Sequence, residues 1–273
     1  MEIVRLAVAS GVAVIDTARA YGASEERIGR ALSGLAANSV SVISKLSIYP
    51  ADRESESATR GAVVESVRRS LQALHVASLD GMLLHDVSDY SLFGGCVVDE
   101  LVRIRDQGLV GEIGISLNEP EEVETILHDE RIQRVQVPFN LLSDEWVNVC
   151  ERLFDIRALN IMTRSAYLQG VLISPPSVWP QITGYDPGDV VSVLTDLSSE
   201  LHRDGVDDLC IAYLRGQSWI ATIVVGVESE SQLRRNLELF NLPPLTETEI
   251  DMVRDRVPAV PADVMRPWKW PRA

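Results

Sequence analysis

Four side chains of complementary chemistry stand at the ends of apolar runs: Asp16, Tyr21, Lys45 and His85. Asp16 follows the β-forming run 12–15, and Tyr21-Gly22 lies in the turn beyond it. Lys45 stands near the end of 39–46, and His85 directly follows 79–84. An ammonium beside a phenol favours the phenolate, and a carboxylate next to that ammonium holds it charged and in place. A neutral imidazole can hydrogen-bond a carbonyl oxygen and orient it. Such a set suits a general acid that delivers a proton to a developing alkoxide. Each residue alone has a plainer reading: Asp16 capping a turn, Tyr21 packing on a sheet, Lys45 reaching solvent, His85 satisfied in the interior. Four compatible groups at the same end of consecutive strands carry the catalytic reading.

Strand–helix alternation is what could bring them together. Helical spacing covers 3–9 and stops at Gly11, a good C′ residue. Ser24 is expected to cap the next helix, with Glu25 and Glu26 favourably placed in its first turn. Strands are expected at 12–17, 39–46, 79–84, 112–116, 134–140, 159–164 and 221–225. Helices are expected at 58–75, 92–107, 119–129, 144–156, 190–203, 207–215, 230–240 and 247–256. On the helix at 58–75, Val64, Val67, Leu71 and Leu74 form one apolar stripe. Near-continuous apolar strands alternating with helices mean an α/β protein whose parallel sheet is covered on both faces. A length of 273 residues favours closure into a (β/α)8 TIM-type barrel, in which neighbouring strand ends share one mouth. A doubly wound sheet would want a Gly-rich phosphate loop after 12–17, and no Gly-x-Gly stands there.

Residues 1–273 read as one barrel domain. The connection 166–187 is rich in Pro, Gly and Ser and carries Trp179 and Tyr185, the composition of a lid or binding loop. The tail 257–273, with four prolines, Trp268 and Trp270, is expected to lie over the surface or the pocket. Lys plus Arg number 25 against 40 Asp plus Glu, a net charge of −15 with no basic stripe, which argues against nucleic acid as a partner. Cys96, Cys150 and Cys210 are far apart and read as reduced core residues, neither a disulfide framework nor a metal site. The N-terminus has no apolar core of a signal peptide, and no stretch of about 18 apolar residues occurs, so a cytoplasmic protein outside the membrane is expected.

At this point the sequence resembles the aldo-keto reductase family. Ile15-Asp16-Thr17-Ala18 through Tyr21-Gly22-Ala23-Ser24-Glu25 to Gly29-Arg30-Ala31-Leu32 is similar to that family's first signature. Ser44-Lys45 resembles its lysine strand, and 79–85 its histidine strand. Gly114-Ile115-Ser116, 136–140, Arg164-Ser165 with Gln169-Gly170, and 226–236 resemble its cofactor segments, so the likeness covers nearly the whole chain. The resemblance implies a barrel that binds NADP(H) or NAD(H) and transfers a hydride to or from a small-molecule carbonyl or alcohol. It also implies Tyr21 as proton donor, Lys45 and Asp16 as its tuners, and His85 as the group orienting the carbonyl. Ser116 and Gln136 would hold the carboxamide; Arg164, Ser165 and Leu168 would line the pyrophosphate; Gly226, Glu228, Gln232 and Asn236 would meet the adenosine end. Tyr49, Trp179, Tyr185 and the tail tryptophans are candidates to shape the substrate pocket.

Two features depart from the family pattern. The family carries a strand before the first helix, whereas here Met1 stands almost at that helix and seven strands are counted, so the barrel is expected to lack its first strand. Glu228 stands where the family has a small hydroxyl or a basic residue; a carboxylate repels the 2′-phosphate of NADP and can accept from the 2′-hydroxyl of NAD. Arg234 and Arg235 are close enough in sequence to answer a phosphate. Beside hydride transfer, two readings keep the same scaffold: a cofactor-binding regulatory protein without turnover, and a redox-neutral lyase or isomerase using Tyr21.

Overall fold

Strand order is the plainest feature of the computed structural model, which describes residues 1–35, 40–157, 159–182 and 184–270. The predicted start of the second strand at Ser39 and the side chain of Trp268 lie outside the described residues. Seven strands are present among them: β1 (Val14–Asp16), β2 (Ser41–Lys45), β3 (Leu79–Leu84), β4 (Val110–Ser116), β5 (Arg134–Pro138), β6 (Asn160–Arg164) and β7 (Thr222–Ile223). They follow one another in chain order from β1 to β7. No reversal of order occurs, so the switch point of a doubly wound sheet is absent among the described residues. The chain forms two compact units, Met1–Gln136 with Ser229–Leu233, and Val137–Glu228 with Arg234–Ala273.

In the first unit, β1 to β4 pair in parallel, and β4 pairs in the same sense with the start of β5. The register sets Asp16 beside Ile43, Lys45 beside Leu83 and Ser116 beside Gln136. Val42, Ile43, Met82, Leu83, Leu84, Ile113, Ile115 and Val135 are all buried, as near-continuous apolar strands require. The helices are α1 (Glu2–Ala9), α2 (Ser24–Leu32), α3 (Glu56–Leu74), α4 (Cys96–Asp106) and the short α5 (Val123–Ile126). Gly11 takes φ +83° just past α1, the left-handed conformation expected of a C′ glycine.

Three local expectations are corrected here. Ser24 does not cap α2: Ala23 is the N-cap residue, and the Ser24 hydroxyl accepts from Thr17 Oγ1 at 3.0 Å instead. The stripe on α3 is turned: Val63, Val67, Ser70 and Leu74 face inward while Val64 is 46% exposed. Ser66 and Ser70 occupy part of the inner face, so an apolar count alone misplaces it. The helix expected from Leu92 starts only at Cys96, because Phe93, Gly94 and Gly95 take φ of 45°, 70° and 94°.

In the second unit, β6 pairs in parallel with β7 through Met162 and Thr163 against Thr222 and Ile223. The Phe139 amide donates to the Arg164 carbonyl at 2.9 Å, joining the end of β5 to β6. The helices of this part of the chain are α6 (Asp144–Arg157), which packs on β6, α7 (Gly188–Glu200), which packs on α8 (Val206–Arg215), and α10 (Glu247–Arg256), with α9 (Glu230–Leu239) between α8 and α10 in the chain. Phe139 stacks on Tyr213 at 6.0 Å and meets Trp219 edge-on at 4.8 Å, an aromatic centre for this unit. All three cysteines are free and buried. Burial pushes the Cys150 thiol up to about 12.

Candidate active site

The site begins at the ends of β1 and β2. Lys45 is buried, and its ammonium donates to Asp16 Oδ2 at 2.6 Å and to the Thr17 carbonyl at 3.1 Å. Burying an ammonium is costly unless such partners offset its lost hydration. Tyr21 sits in a turn closed by its own amide on the Ala18 carbonyl at 3.0 Å. Its ring lies over Lys45 Nζ, 5.2 Å from nitrogen to centroid, and is 49% exposed. The His85 ring, one residue past β3, meets Tyr21 edge-on with centroids 5.8 Å apart. Asp16, Tyr21, Lys45 and His85 thus form one cluster, with the phenol on its wet side.

Gln136 joins this cluster from β5, 120 residues along the chain from Asp16. Its Nε2 donates to Asp16 Oδ1 at 2.9 Å, so the two oxygens of Asp16 serve Lys45 and Gln136 separately. An ionised carboxylate only accepts, which fixes the amide with Oε1 turned away from Asp16. That Oε1 is buried and has no hydrogen-bond partner among the described residues, and the whole residue is 0% exposed. A buried acceptor left open costs about 1–3 kcal/mol, and an amide N–H donor is its natural complement. Ser116, paired with Gln136 across β4 and β5, is buried beside it in the register. These residues fit the carboxamide of a nicotinamide.

The segment after β6 has an unusual backbone. Ser165, Leu168 and Gln169 take φ of 65°, 45° and 57°, and Gly170 follows at 87°. Left-handed non-glycine residues cost roughly 1–3 kcal/mol each and concentrate where a ligand is clamped. Arg164 reaches Ser165 Oγ with Nη1 at 3.5 Å. Leu168 is fully buried, so only its backbone can line a ligand. Tyr167 was absent from the sequence candidates; its hydroxyl donates to Asn236 Oδ1 at 3.0 Å, tying this segment to α9. Burial raises the Tyr167 phenol well above its usual range and keeps it a donor.

The remaining candidates lie on the segment leading into α9. Gly226, Glu228 and Gln232 are exposed, and Gln232 Oε1 accepts from the Ser229 amide at 3.3 Å. A Cβ built on Gly226 meets nothing within 4 Å, so no close backbone approach requires glycine there. Arg235 does not present itself to a phosphate. Its Nε donates to Asp207 Oδ2 at 2.7 Å and its Nη1 to Asp204 Oδ2 at 2.7 Å, while Nη2 holds the Asp204 carbonyl at 2.8 Å. Those carboxylates hold the guanidinium far above its ordinary value. Among the pocket candidates, Tyr49 is exposed, Trp179 is buried 6.5 Å from Tyr185, and Trp270 Nε1 donates to the Asp263 carbonyl at 3.0 Å within the tail.

Among the described residues, no helix is long and apolar enough to cross a membrane. The sequence model of the Aldo/keto reductase family matches residues 1–257. A curated relative, the uncharacterized oxidoreductase YqkF of Bacillus subtilis, is 22% identical over 276 residues, spanning 92% of this chain and 85% of its own length. The aldo-keto reductase AKR11C1 from Bacillus halodurans in its holo form superposes with a TM-score of 0.75 at 20% identity, over 95% of this chain and 86% of that one. An aldo/keto reductase from Klebsiella pneumoniae, solved with NADP and acetate, gives 0.71 at 20% identity over 95% and 85%. These neighbours share the α/β fold of the TIM-barrel class, here with seven strands among the described residues.

Proposed function

The chain belongs to the aldo/keto reductase family, and from that premise we propose that it transfers a hydride between a nicotinamide cofactor and a small carbonyl or alcohol substrate. The observation that carries this reading is the cluster in which Lys45, held by Asp16, and His85 both lie against the Tyr21 ring. In the reducing direction a bound nicotinamide supplies the hydride to the carbonyl carbon, and the carbonyl oxygen takes a proton. Tyr21 gives that proton from its hydroxyl, and Lys45 stabilises the phenolate that remains. His85 orients the carbonyl, and Asp16 keeps Lys45 beneath the ring. In the oxidising direction the same phenolate accepts the alcohol proton.

Ser116 and Gln136 take the carboxamide in this reading, supported by the open, buried Oε1 of Gln136. Arg164, Ser165 and the backbone at Leu168 take the pyrophosphate, supported by the left-handed run there. Gly226, Glu228, Gln232 and Asn236 face the adenosine. Arg235 is committed to Asp204 and Asp207, while Arg234 is exposed and within reach in sequence of a 2′-phosphate, so NADP(H) is the proposed cofactor and NAD(H), which Glu228 would suit, the alternative. The test is turnover of aldehydes, ketones and sugars by the native protein and by Tyr21→Phe. Loss of general acid catalysis lowers kcat by roughly 10²–10⁴-fold, with cofactor affinity unchanged by tryptophan-fluorescence titration. Equal activity in the two proteins removes Tyr21 from the mechanism; affinity for neither cofactor removes the redox reading altogether.

A further inference from the structure

We infer that Arg19, Glu25 and Ser44 form a clamp that positions Tyr21 over Lys45, an inference that rests on the proposed role of Tyr21. Glu25 is 0% exposed, although a carboxylate in the first turn of a helix ordinarily faces water. Its Oε1 accepts the Ser44 hydroxyl at 2.6 Å, and its Oε2 is held by Arg19 Nη1. The other arm of the guanidinium donates from Nη2 to Glu26 Oε1 at 2.9 Å.

Ser44 and Lys45 are consecutive in β2, so the pleat sends their side chains to opposite faces. Lys45 goes to Asp16, and Ser44 goes to the start of α2. The residues around Tyr21 are held at both ends of their turn. The Thr17 amide donates to the Ile43 carbonyl at 2.9 Å, the Thr17 hydroxyl to Ser24 at 3.0 Å, and the Arg19 amide to the Lys45 carbonyl at 3.4 Å. Tyr21 itself is half out in water, so little packing fixes its ring, and its place over Nζ depends on this turn. A buried ion pair is weak evidence for stability; its product here is geometry. Arg19, Glu25 and Ser44 are positioning residues that act through Tyr21.

The test compares Arg19→Met and Ser44→Ala in the native background and in the Tyr21→Phe background, with Arg19→Lys as the conservative variant. Misplacing a reacting group by about 1 Å costs up to roughly 100-fold, so Arg19→Met is expected to lower kcat about 10-fold or more. Arg19→Lys, which keeps one arm of the contact, loses less. The Kd for NADH and NADPH stays within about twofold, and in the Tyr21→Phe background the same changes cost less than about twofold, the non-additivity of residues acting as one unit. An equal loss in both backgrounds, or one carried by cofactor Kd, overturns the clamp. Ser44→Ala keeps the test alive if Arg19→Met does not fold. Amide hydrogen exchange supplies a readout without turnover: residues 17–24 exchange faster in Arg19→Met and Ser44→Ala while the rest of the chain does not. Unchanged or uniformly faster exchange overturns the clamp. A native protein without turnover but with that confined change loses the proposed function and keeps the clamp.

Discussion

Glu228 shows how far a single residue type can be read. Its carboxylate, proposed to face the cofactor, argues from charge alone, and the structure adds that Arg235, one of the two cations close by in sequence, is spent on Asp204 and Asp207. Replacing Glu228 with Ser is therefore expected to raise the affinity ratio of NADPH to NADH by about 10-fold, or ~1.4 kcal/mol, read by fluorescence titration with each cofactor. A ratio that does not move would place the 2′-position elsewhere. Asp16, Lys45 and His85 were legible because each stands at or just past a strand end with its own chemistry, and Tyr21 because it lies in the turn that follows the first of them. The bond from Gln136 to Asp16 was not, since nothing local in the sequence links residues 120 positions apart. Glu25 was legible only as a helix-dipole carboxylate; its burial follows from Ser44 and Arg19 reaching it from β2 and from the turn.

Elements were readable where one period dominates. β3 has the predicted bounds, and α10 does as well, but β7 keeps only Thr222–Ile223 of the run 221–225. The inner face of α3 was hidden by Ser66 and Ser70, because small hydroxyls read as surface in a hydrophobic count and yet fit close helix packing. Gly29 on α2 marks one such approach. A Cβ there would stand 2.2 Å from the Ala73 carbonyl oxygen and 2.8 Å from the Leu74 carbonyl carbon, both backbone atoms of the α3 C-terminus. Neither helix can yield by a rotamer change. Gly29→Ala is expected to destabilise by about 1–3 kcal/mol, the range of overpacked cores, measured as a shift in the urea midpoint. Because α2 carries Glu25, the same variant should also lower kcat; an unshifted midpoint would mean that α2 and α3 can separate without cost.

Across the whole molecule, alternation and parallel pairing followed from the sequence, whereas the loops that join strand ends did not. One loop contact links stability to pH. Asp89, four residues past His85, is buried and forms an ion pair from Oδ1 to Arg53 Nη2 at 2.8 Å. Burial pushes its carboxyl up to about 6, Arg53 pulls against that, and the nearby Asp86 adds to the rise. Asp86 itself also lies 3.6 Å from Arg53, so one guanidinium is shared between two carboxyls. A carboxyl whose folded value lies above its unfolded one stabilises the fold fully below about pH 4, where both states hold the proton. That contribution is lost as pH rises toward 6, because the unfolded chain ionises first. The interval from 3.8 to about 6 corresponds to on the order of 2–3 kcal/mol. Asp89→Asn removes the titration while keeping the shape. The variant should therefore gain on the native protein in thermal midpoint between pH 4 and 6, and the difference should level off above 6. A difference that stays flat across that interval would show that Arg53 holds Asp89 ionised throughout, and that burial is the weaker of the two forces.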